Sequence, residues 1–96
     1  MNVVGRGKLQ DFCKKYADAQ KWIDNWLADV EAAQWDTPHH IKERYSSVSF
    51  LPHNKVIFNV KGNEYRLEAT VAYRTRVLAI QWIGTHAEYD QRNKKR

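Results

Sequence analysis

The constraint that most narrows the fold is a change of hydrophobic period partway along the chain. Through the first half, apolar side chains recur every three or four positions: Leu9, Phe12, Cys13 and Tyr16, then Trp22, Ile23, Trp26, Leu27 and Val30. From residue 56 onward they alternate at every second position, through segments 56–60, 64–73 and 77–83. The first spacing lines one face of an α-helix and the second lines one face of a strand. A chain of 96 residues buries one modest core. Residues 1–96 are therefore expected to form a single α+β domain of two layers, N-terminal helices packed on one face of an antiparallel sheet.

Local punctuation places the elements. Asp18 stands where it can cap the second helix, and Thr37-Pro38 in WDTPHHIKERY starts a short third one running through Tyr45. The KGN triplet at 61–63 is a Gly-centred hairpin turn, and a second turn falls at Thr75 and Arg76. Residues 47–51 add an edge strand before LPHNK, for a meander of three or four strands. Gly84 closes the last strand. Thr85-His86-Ala87-Glu88 then matches a capping box, which predicts a short C-terminal helix.

Composition limits the function classes. Sixteen Lys and Arg against eleven Asp and Glu leave a net charge of +5, which favours a polyanionic partner, nucleic acid first and an acidic protein second. The lone Cys13 excludes an internal disulfide and a Cys-rich zinc site, and in its apolar helical setting it reads as a small packing residue. Trp22 and Trp26 share a helix face and read as core. His39, His40 and His53 lack the spacing and carboxylate company of a helical zinc motif, so no metal site is expected. No N-terminal apolar run has signal-peptide length, and no stretch approaches the about 20 apolar residues of a membrane span. The expected compartment is the cytoplasm, without membrane association.

The alternation also sorts chemistry by face. Tyr65, Leu67, Ala69, Val71 and Tyr73 point toward the helices; Arg66, Glu68, Thr70, Ala72 and Arg74 point to the exposed side. Pairing across the KGN turn brings Asn59 and Lys61 to the side of Arg66, and Gln81 joins from the last strand. Amide, ammonium and guanidinium groups gathered in this way suit a phosphate, although an ordinary solvated sheet face has the same pattern. His86 takes the first helical position at the strand end, with Tyr89 one turn on and on the same side. That pair is either a catalytic corner or a helix cap with aromatic packing behind it.

A family resemblance weighs between these readings. The run KVIFNVKGNEYRLEATVAYRTRVLAIQWIGTHAEYD, residues 55–90, closely resembles the HigB toxins of bacterial type II toxin–antitoxin modules, a branch of the RelE superfamily of mRNA interferases. FNVKGNEYRL and GTHAEYD carry the likeness, and WDTPHHIKERYSS resembles the family's helical lead-in. It spans nearly the whole chain and is weakest before residue 20. The resemblance implies a RelE-like fold and a ribosome-dependent endoribonuclease that cuts translated mRNA without metal or other cofactor, by attack of a ribose 2′-hydroxyl on the adjacent phosphate. It further implies neutralisation by a HigA-type helix-turn-helix antitoxin, with operator DNA bound only through that antitoxin.

By the same resemblance, His86 is expected as acid or base, Arg66 for transition-state charge, Lys61 for charge or proton transfer, and Tyr89 for base stacking or orientation. RNA contacts are expected from Asn59, Arg74, Arg76, Gln81 and the basic end Lys94, Lys95 and Arg96, with Lys42, Arg44 and Arg92 as further docking charges. The chain departs from the family in one place. It reads IQWIGTH where relatives carry a pattern like IRFIGTH, so Gln81 replaces a cation that Arg74 or Arg76 is expected to supply. A second reading within the superfamily is a non-catalytic RelE/ParE-like scaffold that blocks the ribosome or gyrase by binding.

Overall fold

The alternating segments pair as their turns dictate. In a computed structural model, which describes residues 1–94, strand β3 (Lys55–Val60) meets β4 (Tyr65–Ala72) across the KGN turn, and β4 meets β5 (Val77–Thr85), both antiparallel. Strand β2 (Ser49–Leu51) joins the outer side of β3, as the edge-strand reading of 47–51 requires. The sheet has one strand more than that meander. Strand β1 (Asn2–Val4) lies parallel to β5, with Asn2 opposite Val77 and Val4 opposite Ala79, so the sheet is mixed and its order is β1-β5-β4-β3-β2. Three residues are too few for alternation to register. The Met1 amino group donates to the carbonyl oxygens of Val30 (3.0 Å) and Ala33 (2.8 Å), which ties β1 to the end of helix α2 (Gln20–Ala32).

Helices α1 (Arg6–Lys15), α2 and α3 (Pro38–Arg44) cover one face, built on the apolar periodicity of the first half. Trp26 meets Phe58 edge-on at 5.2 Å, Tyr45 meets Phe58 at 5.5 Å, and Phe12 meets Tyr65 at 5.1 Å, which locks the helical layer to β3 and β4. Trp26 is enclosed; Trp22 is half-buried against Tyr45. Cys13 is buried in the same cluster, and burial, with the Asp24 charge adding to it, pushes its thiol pKa up. It is a packing group.

One expected cap is replaced and the other holds its place without a side-chain bond. Helix α2 follows a 3₁₀ turn, Ala17–Ala19, and has no side-chain cap. Asp18 lies inside that turn, one residue before the α2 N-cap position, and instead accepts from Lys61 Nζ at 2.8 Å and from the Tyr65 hydroxyl at 2.8 Å. Thr37 and Pro38 do start α3, but the Thr37 hydroxyl makes no cap bond. Close by, the Asp36 N–H donates to His40 Nδ1 at 3.1 Å.

The second face of the sheet also departs from expectation. It is partly covered, by α4 (His86–Lys94) packed on β4 and β5. Ile57 and Glu68 face each other across β3 and β4 on this side, and each is only 3% exposed. Truncating the core at its centre tests the layering: Phe58→Ala, at a fully buried position, is expected to cost about 3–5 kcal/mol, read from urea unfolding followed by tryptophan fluorescence. A loss under about 1 kcal/mol would mean that the aromatic packing does not carry the layer contact.

Candidate functional site

A bulge in β5 sets up the second face. Ile80 pairs with Ala69 and Trp82 with Glu68, so Gln81 is an extra residue. Ile80 and Ile83 therefore remain against the core, while Gln81 and Trp82 both serve the other side. The Gln81 amide donates to Thr70 Oγ1 at 3.0 Å.

Trp82 lies across Gly84. A Cβ at residue 84 would come within 2.5 Å of the indole Cζ2, so glycine is what allows the ring to rest on the strand. The Arg92 guanidinium sits over this indole, 4.5 Å from its centre, and the Tyr89 ring lies 6.1 Å away. Arg92 Nη1 is also 3.6 Å from Glu68 Oε1, and Lys55 Nζ is 3.8 Å from Glu68 Oε2. A buried carboxylate is thus flanked by two cations. These contacts hold down a helix that buries no residue of its own.

Arg66 occupies the hairpin end of the same face. Its Nη1 donates to Asn59 Oδ1, directly across the ladder, and to Asn63 Oδ1 at 3.2 Å, and its guanidinium is 6.0 Å from the centre of the Tyr89 ring. The backbone of His86 is set at the same end of the sheet: β5 runs antiparallel to β4, Gly84 lies opposite Arg66, and the His86 N–H donates to the Glu64 carbonyl at 3.1 Å. The expected capping box is formed. Thr85 N–H donates to Glu88 Oε1 at 2.8 Å and Glu88 N–H to Thr85 Oγ1 at 3.1 Å. These bonds hold the Glu88 carboxyl below the usual range, the Thr85 main-chain contact contributing most. His86 Nδ1 is 3.1 Å from Asp90 Oδ2, one turn along α4, which orients the ring and leaves Nε2 as the free nitrogen.

The structure therefore brings together Asn59, Asn63, Arg66 and Tyr89, while His86 starts α4 with its backbone bonded to Glu64 and its ring paired with Asp90. Lys61 is not among them. With φ at +52° it leaves the extended conformation that would have kept it beside Arg66, and its Nζ turns to Asp18 at 2.8 Å and Glu64 at 3.9 Å. The Asp18 hydrogen bond raises the Lys61 pKa; Lys61 first and Tyr65 second lower that of Asp18, and Asp18 pushes the Tyr65 phenol up to about 12. Arg74 and Arg76 lie in the β4–β5 turn, about 20 Å of strand from Arg66, and Arg76 is paired with Asp36 at 2.7 Å. Neither approaches the hairpin end. Lys94 ends α4 in solvent, whereas Lys95 and Arg96 lie outside the described residues. Lys42 and Arg44 belong to the helical layer, donating to the Val48 carbonyl and to Asp29. His39 pairs with Glu43 at 2.7 Å.

Sequence reasoning passed over Trp82, Glu68 and Lys55. The tryptophan two residues before the glycine in IQWIGTH was the available signal, since a ring next to a strand glycine has a place to lie.

Fold and surface together define a small α+β domain whose second sheet face is closed by a C-terminal helix and carries an arginine between two asparagines, beside a tyrosine and a histidine. The family model that matches residues 19–92 is described as HigB_toxin, RelE-like toxic component of a toxin-antitoxin system, and the chain belongs to that family. It is similar to the mRNA interferase toxin HigB of Escherichia coli (strain K12), 25% identical over 92 residues, which cover 94% of this chain and 88% of that protein. The mRNA interferase HigB of Shigella flexneri gives the same figures, and that of Escherichia coli O6:H1 (strain CFT073) is 20% identical over 93 residues, 95% of this chain and 90% of the relative. Among the described residues, no helix is long and apolar enough to cross a membrane.

Two outcomes follow from the site's construction. Gly84→Ala is expected to displace Trp82 and loosen α4, raising amide exchange in residues 86–94 at least about tenfold while β3 and β4 keep their protection. Unchanged protection would show that the indole does not hold the helix. The second concerns pH. Because the Glu88 carboxyl titrates below its unfolded value, its capping contribution is complete above the ordinary Glu pKa of about 4.3 and is lost as pH falls through the lower folded value. Thermal unfolding should therefore separate the native chain from Glu88→Gln at pH 7 and narrow the gap as pH falls below the ordinary Glu pKa of about 4.3; a gap independent of pH contradicts the capping box.

Proposed function

We propose that this chain is the toxin of a type II toxin–antitoxin module and acts as a metal-independent endoribonuclease on translated mRNA at the ribosome. The toxic component follows from family membership, and the printed names of relatives, mRNA interferase, support the activity. The observation that carries the assignment to this face is Arg66, held by Asn59 and Asn63 against Tyr89 at the strand end where His86 begins α4.

Cleavage by 2′-hydroxyl attack needs a base, charge stabilisation and alignment, with no nucleophilic side chain. His86 is the proposed base: Asp90 orients Nδ1, and Nε2 takes the 2′-proton. As the 2′-oxygen bonds to phosphorus and the bond to the 5′-oxygen breaks, Arg66 neutralises the phosphorane and solvent protonates the departing 5′-oxygen. The product is a 2′,3′-cyclic phosphate. Tyr89 stacks on a neighbouring base and sets the in-line geometry. Lys61, paired with Asp18, positions the hairpin from the opposite side. Asn59, Gln81 and the basic α4 end at Lys94 contribute RNA contacts, and Arg74 and Arg76 extend them toward the far turn. The neutralising partner is proposed to be a HigA-type helix-turn-helix protein through which operator DNA is contacted. A net charge of +5 suits both RNA and an acidic antitoxin surface.

Primer extension on mRNA from a translating extract tests this. Cuts are expected in translated frames of ribosome-bound mRNA and not in the same mRNA stripped of ribosomes. Arg66→Ala should slow cleavage by about 10²–10³-fold and His86→Ala by about 10²–10⁴-fold without unfolding the chain. Growth arrest that survives His86→Ala with no cleaved ends would instead favour a scaffold that blocks its target by binding.

A further inference from the structure

Strand β5 outruns its neighbour on the outer side. Strand β1 pairs with Val77, Leu78 and Ala79 and then ends. Gly5, with φ of +90°, turns the chain off the sheet into α1, at a point where a Cβ would stand 2.8 Å from the Ile80 carbonyl oxygen. Beyond Ile80, β5 pairs with β4 alone. Two bonds give the direction of its backbone groups. The Thr85 N–H donates to Glu88, whereas the His86 N–H donates to Glu64 at the start of β4, so residue 85 points outward and residue 86 inward. Alternation then turns the N–H and C=O of Ile83 outward as well, on a side where no strand receives them.

That free edge opens onto a cavity of about 390 Å³ between β5 and α1. Phe12, Trp82 and Ile83 form its apolar walls, and Lys8, Asp11 and Lys15 its rim. Both lysines are exposed, and neither has a carboxylate within ion-pair distance among the described residues. Glu88, which the charge of Lys15 reaches only at longer range, is occupied by Thr85. Lys8 and Lys15 are seven residues apart on one face of α1, about 10 Å along its axis.

We propose that this edge is a docking site for an extended, acidic segment of another protein, which adds a strand to the sheet by pairing its main chain with Ile83. The inference is independent of the nuclease reading. Unpaired N–H and C=O groups in a row match another main chain, and the apolar walls take its side chains, as in other cases of strand addition. The lysines set the sequence of the segment. Residues four positions apart on a strand lie on one side, about 13 Å from each other, so a pair of carboxylates at that spacing straddles Lys8 and Lys15 with an apolar residue between them on Phe12. Asp11 repels a third carboxylate at that central position. A second copy of the chain is the poorer occupant, because it brings a further +5 charge against the same lysines.

The test uses the full isotope-labelled chain and a blocked peptide, Thr-Glu-Thr-Val-Thr-Glu-Thr, with binding read from amide shifts. Saturable shifts are expected in residues 8–15 and 81–85, with a Kd under about 1 mM. The double variant Lys8→Glu/Lys15→Glu, changed at two exposed positions and checked for folding by thermal unfolding, should bind at least about tenfold more weakly, and a peptide with lysines for glutamates should restore its binding. Two further peptides are N-methylated at alternate residues. A strand presents every second N–H to one edge, so one of them should bind like the parent and the other should lose at least about tenfold. Absence of saturable binding, an equal loss in both N-methylated forms, or shifts centred on residues 59–66 overturns the site. So does a dimer of the chain alone in sedimentation equilibrium that the peptide fails to dissociate, or an oligoribonucleotide that moves residues 8–15 and 81–85 in place of the peptide. Peptide binding with the expected charge reversal, in a chain that cuts no RNA, supports the site and removes only the nuclease reading.

Discussion

The second face of this protein depends on an indole resting on a glycine. A five-stranded sheet has two faces to cover, and the first is served by an ordinary apolar core of Trp26, Phe58, Leu67 and their neighbours. The second is covered by nine residues, His86–Lys94, none of them buried. Such a helix has too little apolar surface to dock by burial alone. What fixes it is Trp82, turned to this side by the β5 bulge and laid flat over Gly84, where it receives Arg92 and Tyr89. Each contact of this kind contributes about 0.5–2 kcal/mol, so the helix is held by a small sum in which Trp82 is the common member.

That arrangement explains how a short hairpin becomes a chemical site. The KGN turn is held from both sides of the sheet. On the helical side, Lys61 and Tyr65 converge on Asp18; on the other, Arg66 is held by Asn59 and Asn63. An arginine fixed by neutral amides keeps its charge unspent, because no carboxylate within the described residues pairs with it. Lys61, Arg76 and Arg44, in contrast, are each neutralised by an aspartate. Arg66 is thus a cation without a carboxylate partner among the described residues, set against Tyr89 of α4.

Much of this was legible in the sequence, and the misses have physical causes. Period placed helices α1 and α2 and the strands β3 to β5, Thr37-Pro38 and the KGN turn placed α3 and the β3–β4 hairpin, and the Thr85–Glu88 pattern specified the capping box bond for bond. Alternation put Asn59 beside Arg66, where the ladder has it. It failed at Lys61, because a left-handed residue ends the two-residue period; Gln81 reached the expected face, and the bulge at that point turns Trp82 to the same side, which alternation does not foresee. The three-residue β1 was invisible, its pairing being set by a partner at the other end of the chain. Asp18 was read as a cap from its position alone; the ammonium and phenol that claim it lie more than forty residues away in sequence. Local pattern does not encode such competition.

The central claim is that RNA lies on the face closed by α4 and not on the helical layer. Heteronuclear NMR of the isotope-labelled chain, titrated with a short 2′-O-methyl oligoribonucleotide, tests it most directly. The account predicts amide shifts concentrated in Asn59, Asn63, Arg66 and α4. Shifts concentrated instead in α1, α2 and α3, with residues 59–66 and 86–90 unmoved, would contradict it.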